Sequence, residues 1–279
     1  MGLGSQAIDP PEDVFRPWLD CWGLVSDGEG FTTRFGSHLL AVTRNGEAAM
    51  LKIAGHEEEA RGAAAMEWWG GDGAATVLAR QGAALLLERV IGSRSLSAMA
   101  RSGADQEATT VLCRTAAKLH APRVGARPPS LVPLDVWFRA LEPAASRFGG
   151  ILHRSADAAR MLLATAAEPV VLHGDIHHEN VLDGGARGWL AIDPKGLLGE
   201  RGFDYANILC NPDIETAGAP ARLRAGVAII AREAGLEPSR ILNWALAYAG
   251  LSASWTLGDG EDASPALEIA EIAARELQA

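Results

Sequence analysis

The chain is short of cysteine, of positive charge and of long apolar runs, and each shortage removes a class of protein. Cys21, Cys113 and Cys210 form no CxxC pair, and bridging any two leaves one over. A disulfide framework is therefore not the organising device, and reduced thiols in a cytoplasmic chain are expected. Cys113 and Cys210 read as core residues. Lys and Arg number 25 against 35 Asp and Glu, for a formal net charge of −10. Nucleic-acid binders present a basic face, so no nucleic-acid partner is expected. A negative field suits a cationic small substrate, and it equally suits plain solubility. The longest apolar runs, such as Ala83 to Leu87, fall far short of a bilayer span. The N-terminus lacks the basic start, apolar core and small-residue cleavage site of a secretory signal, so no membrane association is expected.

What is present is the composition of a globular protein, 48% hydrophobic and 22% charged over 279 residues. At that length a single core begins to divide into two lobes. Phe31 to Phe35, Leu39 to Thr43 and Ala48 to Ile53 read as strands, with Asn45-Gly46 as a hairpin turn. His56 to Trp69 reads as a helix opened by three glutamates and stopped at Gly70-Gly71-Asp72-Gly73. Two more strands are expected near Ala75 to Ala79 and Ala83 to Leu87. Beyond Glu88 the pattern turns helical: Asp105 to His120, then Val136 to Arg147 after a proline-rich linker at Ala121 to Pro133. Three C-terminal helices follow, Ala219 to Ala234, Pro238 to Leu257 and Pro265 to Leu277. The expected fold class is α+β. An antiparallel-sheet lobe with one helix spans residues 1–88 and a larger, mainly helical lobe spans residues 89–279, with a cleft between them.

The chemistry concentrates in Val170 to Asn211. An apolar run enters His173-Gly174-Asp175, and Asn180 follows five residues after the aspartate. Val181 to Asp183 and Trp189 to Ile192 read as a hairpin that delivers Asp193. Phosphoryl transfer needs one carboxylate at the acceptor hydroxyl and hard oxygen ligands for Mg²⁺ at the phosphates. A loop carrying Asp175 and Asn180, followed by a hairpin ending in Asp193, supplies all three in the order used by protein kinases.

His173-Gly174-Asp175, Asn180 and Ile192-Asp193-Pro194 resemble the HGD…N…IDP signature of aminoglycoside phosphotransferases. The fuller run, with His177-His178-Glu179-Asn180, Gly196-Leu197-Leu198-Gly199-Glu200 and Phe203-Asp204-Tyr205-Ala206-Asn207, resembles the streptomycin 6-kinase branch. That branch is grouped with hydroxyurea-inactivating kinases. Trp68-Trp69, Leu119-His120-Ala121-Pro122 and Leu251-Ser252-Ala253-Ser254-Trp255 extend the likeness over most of the chain. The resemblance implies a protein-kinase-like fold that uses ATP and Mg²⁺. Asp175 would be the catalytic carboxylate, Asn180 and Asp193 the metal ligands. It further implies Lys52 at the nucleotide phosphates, held by Glu59, which the spacing to Trp68-Trp69 favours over Glu57 and Glu58. Taken alone, a strand lysine is usually a solvated edge residue. Asp204 would be a structural aspartate under the catalytic loop, or else a helix N-cap or surface acid.

No G-x-G-x-x-G precedes Lys52, only Phe35-Gly36-Ser37-His38, in keeping with the shorter loop of aminoglycoside kinases. Gly36 and Ser37 are candidate backbone donors to phosphate, or Gly36 is merely a turn. The backbone of Glu88 to Val90, at the junction of the lobes, is the candidate adenine dock. His173 reads as structural. Of His177 and His178, one packs against the loop and the other reaches substrate, with His178 taken as the contact. The H-x-D-x-H-H spacing is no HExxH helix, which disfavours a zinc hydrolase. Glu200, Asp213 and Asp259, with Trp255 and Trp244 as flat walls, are candidates for a cationic substrate; each acid reads equally as a solvated surface charge. The implied acceptor is the 6-hydroxyl of streptomycin. Hydroxyurea or another small hydroxyl compound is the alternative with the same chemistry. A non-catalytic nucleotide-binding kinase fold is the alternative of a different class.

Overall fold

The computed structural model describes residues 14–33, 36–167 and 169–278. Helix α1 (Arg16–Trp22) leads into a sheet of β1 (Leu24–Ser26), β2 (Phe31–Thr32), β3 (His38–Arg44), β4 (Glu47–Ile53), β5 (Val77–Gln81) and β6 (Ala84–Glu88). The order is β1-β3-β4-β6-β5, with β2 also on β3, and every pairing is antiparallel. Asn45 and Gly46 join β3 to β4 at φ 54° and 84°, the positive values that a tight hairpin requires. Successive strand residues face opposite sides. Leu40, Val42, Leu51, Ile53 and Leu86 therefore pack on Trp18, Leu19 and Trp22 of α1. Leu39, Met50, Lys52 and Leu85 face the other way, into a cleft. The expected strand at Ala75 to Ala79 begins two residues later, because Ala74 and Ala75 bridge to Ala191 instead. Of the strand expected at Phe31 to Phe35, Phe31–Thr32 forms and Thr33 falls outside it, while Arg34 and Phe35 lie outside the described residues.

Between β4 and β5 runs α2 (Glu57–Trp69), with His56 extended at φ −143° before it and Gly70 in the left-handed conformation after it. A Cβ on Gly62 would stand 2.0 Å from the Pro194 carbonyl oxygen, and one on Gly196 would stand 2.6 Å from that of Arg61. Only glycine at both places lets α2 lie directly on the 194–196 segment.

The larger part contains α3 (Leu96–Met99), α4 (Asp105–His120), α5 (Leu134–Trp137), α6 (Leu141–Phe148) and α7 (Ile151–Ala164). Two small sheets follow. One pairs β7 (Val132–Pro133) and β8 (Val170–Leu172) on either side of β11 (Leu197–Gly199); the other is the hairpin of β9 (Val181–Asp183) and β10 (Trp189–Ala191). Helices α8 (Gly202–Leu209), α9 (Ile214–Ala217), α10 (Pro220–Ala234), α11 (Pro238–Gly258) and α12 (Ser264–Glu276) complete the chain. The spine is α11, packed on α7, α8 and α12. Its buried Ala245, Ala247, Ala249, Gly250 and Ala253 allow close approach, and a Cβ on Gly250 would meet Ser155 at 2.2 Å. The single helix expected over Val136 to Arg147 is broken into α5, a 3₁₀ turn and α6.

Candidate active site

The buried strand β8 carries the chain into His173-Gly174-Asp175, and Asp204 on α8 fixes that turn from below. Asp204 Oδ2 accepts from the His173 backbone N–H at 2.9 Å and from His120 Nε2 at 2.8 Å, while Oδ1 accepts from the Gly174 N–H at 2.8 Å. Burial opposes ionisation of Asp204, yet the hydrogen bond and charge of His120 hold its pKa below the ordinary carboxylate value. His173 is fully buried. Its Nδ1 accepts from the Asp175 N–H at 3.2 Å, so Nε2 carries the proton and donates to the Ile192 carbonyl at 2.9 Å. Burial pushes its pKa down, and the neutral ring stacks on Trp69. These contacts make His173 and Asp204 the frame of the loop rather than its reactive groups.

Asn180 donates from Nδ2 to the Asp175 carbonyl at 2.9 Å and stands 3.4 Å from Asp175 Oδ2. Its own carbonyl accepts from the Ile192 N–H at 2.9 Å, prolonging the β9–β10 ladder, so Asn180 and Asp193 end up side by side. Asp193 has φ 57°, a left-handed value that Asp tolerates better than most residues. Lys52, between Leu39 and Leu85 on the cleft face of the sheet, ion-pairs with Asp193 and lies 3.5 Å from Glu59 Oε2. Burial opposes ionisation of Asp193, but the Lys52 charge and hydrogen bond outweigh it and lower its pKa. Of the three glutamates opening α2, Glu59 is beside Lys52 and Glu58 is 3.4 Å from Lys195. With Nδ2 of Asn180 committed to Asp175, its Oδ1 remains as an oxygen donor in the cleft that Asp193 also lines. Hard oxygens of this kind fit Mg²⁺, which Asn180 and Asp193 would hold. Among the described residues, no three His, Cys, Asp or Glu side chains cluster to hold a metal.

Two further side chains neighbour Asp175: His177, read from the sequence as the packing member of its pair, and Lys195, not assigned from the sequence. His177 Nε2 is 3.8 Å from Oδ1 and Lys195 Nζ is 3.9 Å from Oδ2. Burial disfavours the charge on Lys195, but Asp175, Glu58 and Asp193 together raise its pKa, so it is a cation. The cleft itself is bordered by Leu39, Met50, Met66, Leu85, Leu182 and Ile192, with Glu88 and Val90 at its junction edge. The Glu88 side chain turns away to Arg187 and to the Thr76 N–H.

Several expected contacts are corrected. Gly36 and Ser37 spend their N–H groups on the Thr33 carbonyl at 2.9 Å and the Thr33 hydroxyl at 3.1 Å, while the Ser37 hydroxyl donates to Glu59. Their backbone donors are thus engaged within the loop, not offered to phosphate. His178 does not reach substrate: it is buried 2% exposed, with neither ring nitrogen partnered among the described residues. Burial is the main reason its pKa falls to about 3, with Arg222 and His177 adding to the shift. The loop alternates, so Ile176 and His178 point inward and His177 takes the outward place beside Asp175. Glu200 is 1% exposed and is held by Arg240, by Trp244 Nε1 at 2.9 Å and by the Ala167 N–H at 3.2 Å. It is an internal tie, and Trp244 is fully buried with it rather than forming a wall. Asp213 caps α9 through the Thr216 N–H at 2.9 Å and pairs with Arg101 at 2.8 Å, so it brings no uncompensated charge to a cation. Trp255 is exposed with its ring edge-on to Trp137, and Asp259 is exposed just past α11.

Residues 21–260 match the family of aminoglycoside/hydroxyurea antibiotic resistance kinases. The chain belongs to that family. Among its relatives, the streptomycin 3''-kinase of Klebsiella pneumoniae is 49% identical over 247 residues, covering 87% of this chain and 92% of that protein. The streptomycin 6-kinase of Streptomyces griseus is 32% identical over 267 residues, covering 90% and 85%. The fold is shared with the aminoglycoside phosphotransferase APH(4)-Ia, solved as a ternary complex with ADP and hygromycin B, at a TM-score of 0.59 and 12% identity over 94% of this chain and 98% of that one. The kinase-like α+β architecture of this family member is therefore that of an antibiotic kinase, with Asn180, Asp193 and Lys52 on the walls of its cleft and Asp175 beside Asn180.

Proposed function

We propose that the protein is an ATP-dependent, Mg²⁺-dependent phosphotransferase acting on a hydroxyl of streptomycin. One observation carries the reading: Asp175, Asn180, Asp193 and Lys52, drawn from three segments, converge where the apolar cleft meets the 173–180 loop. The adenine lies against the apolar cleft near Glu88 and Val90, and Lys52, steadied by Glu59, meets the α- and β-phosphates. Asn180 and Asp193 would hold Mg²⁺, whose charge would offset that of the phosphate oxygens. Asp175 orients the acceptor hydroxyl and receives its proton as the oxygen forms a bond to the γ-phosphorus. The bond from that phosphorus to the β–γ bridging oxygen breaks, and ADP leaves with the electron pair. The barrier falls through positioning and charge compensation.

The acceptor position is open between two hydroxyls of the drug. Identity of 49% to a 3''-kinase against 32% to a 6-kinase supports the 3''-hydroxyl over the 6-hydroxyl that the sequence motifs alone favour. Two-dimensional ¹H–³¹P correlation spectra of the purified product read the position directly. A phosphorus coupled to the 3'' proton is the expected result; coupling to the streptidine ring returns the assignment to the 6-hydroxyl. Phosphorylation of hydroxyurea but not streptomycin discards the drug altogether.

A further inference from the structure

Beside the nucleotide cleft lies a second, polar recess bordered by Ser37, Lys52, Glu58, Glu59, Asp193 and Lys195. Its two cations flank Asp193: Lys52 ion-pairs with that carboxylate, and Lys195 follows it by two positions in the chain. Lys195 Nζ sits 3.4 Å from Glu58 Oε1 and 3.9 Å from Asp175 Oδ2. Its backbone is fixed, since the Lys195 N–H donates to the His173 carbonyl at 2.7 Å and Gly196 lies against Arg61. The ion pair with Glu58 is open to solvent on both sides, and such pairs exchange partners at little cost.

We propose that Lys195 is a catalytic residue that grips the γ-phosphoryl group, releasing Glu58 when a nucleoside triphosphate enters. The proposal rests on the kinase reading above. On that reading the phosphoryl group travels from the nucleotide, at Lys52 and Asp193, to the acceptor oxygen, at Asp175. Lys195 borders that path at both ends, sharing the recess with Asp193 and standing 3.9 Å from Asp175. A cation there meets the three oxygens that carry charge as the phosphoryl group moves. ADP, which lacks the γ-phosphoryl, makes no use of it.

Calorimetric titration of wild type and Lys195→Met with Mg²⁺–ADP and with the non-hydrolysable imido analogue of ATP tests this. Loss of one charge-assisted contact predicts about 10- to 100-fold weaker binding of the analogue to the variant. ADP affinity should be unchanged, and Lys195→Arg should recover part of the lost affinity. Unchanged analogue binding in Lys195→Met overturns the proposal, as does an equal weakening of ADP and analogue, which marks a structural role. Should Lys195→Met fail to fold by circular dichroism, Lys195→Gln is read by the same two ligands. A folded wild type that binds neither nucleotide contradicts the kinase reading itself, an outcome distinct from failure of the lysine.

Discussion

Asp204 carries more of the site than its burial suggests, because three donors depend on its two oxygens. Asp204→Ala leaves two backbone N–H groups and His120 without their buried acceptor. A destabilisation of about 3–5 kcal/mol is expected in urea unfolding, together with loss of turnover. A variant as stable as wild type would show that the loop holds itself. His178 illustrates the opposite economy. Its folded pKa of about 3 lies below the ordinary 6.5, so the unfolded chain takes a proton that the folded chain refuses. The stability tied to its neutral ring is complete above pH 6.5 and is lost as pH falls from there. His173, also depressed by burial, adds in the same direction. Unfolding free energy should therefore drop between pH 6.5 and 4.5. His178→Leu should flatten that slope in part while costing little at pH 8, since neither ring nitrogen has a partner to lose. An unaltered slope would remove His178 from the explanation.

At the scale of elements, the contact between α2 and the 194–196 segment sets the distance from Lys52, Glu58 and Glu59 to Asp193 and Lys195. Gly62→Ala favours an ordinary helix by up to about 1 kcal/mol. Here the added methyl would meet the Pro194 oxygen at 2.0 Å, so α2 must back away. Turnover is expected to fall by about tenfold or more from the displaced phosphate-binding groups, read by steady-state kinetics; wild-type kinetics would contradict the close packing. What the sequence exposed at this scale follows local rules. The Asn45-Gly46 hairpin and the α2 stop at Gly70 rest on neighbouring residues, as does the placing of Asn180 beside Asp193 by a single hairpin. Helix α7 escaped, although buried Leu152, Ser155, Ala159 and Leu162 follow a helical period. It follows a glycine pair and has no side-chain cap to announce its start. Glu200 was misread because Arg240 and Trp244, which hold it, lie at least 40 residues on. His177 and His178 were exchanged because two adjacent histidines give no local signal as to which of them the folded loop turns inward. Glu58 and Lys195, at opposite ends of the cleft contact, are joined only by the folded arrangement.

For the whole molecule, one sheet face is covered by α1 and the other faces a cleft whose far side is lined by Asn180, Leu182, Ile192 and Asp193. The chain's net charge of −10 complements a cationic drug without any one surface acid identified as its contact. The chain belongs to the antibiotic kinase family, and the phosphoryl transfer proposed for it depends on Asp175. The most direct test is streptomycin-dependent release of ADP from Mg²⁺–ATP by wild type and by Asp175→Asn, both verified as folded. The account predicts turnover in the wild type and a loss of about 10²- to 10⁴-fold in the variant. A variant that phosphorylates streptomycin at the wild-type rate would contradict it.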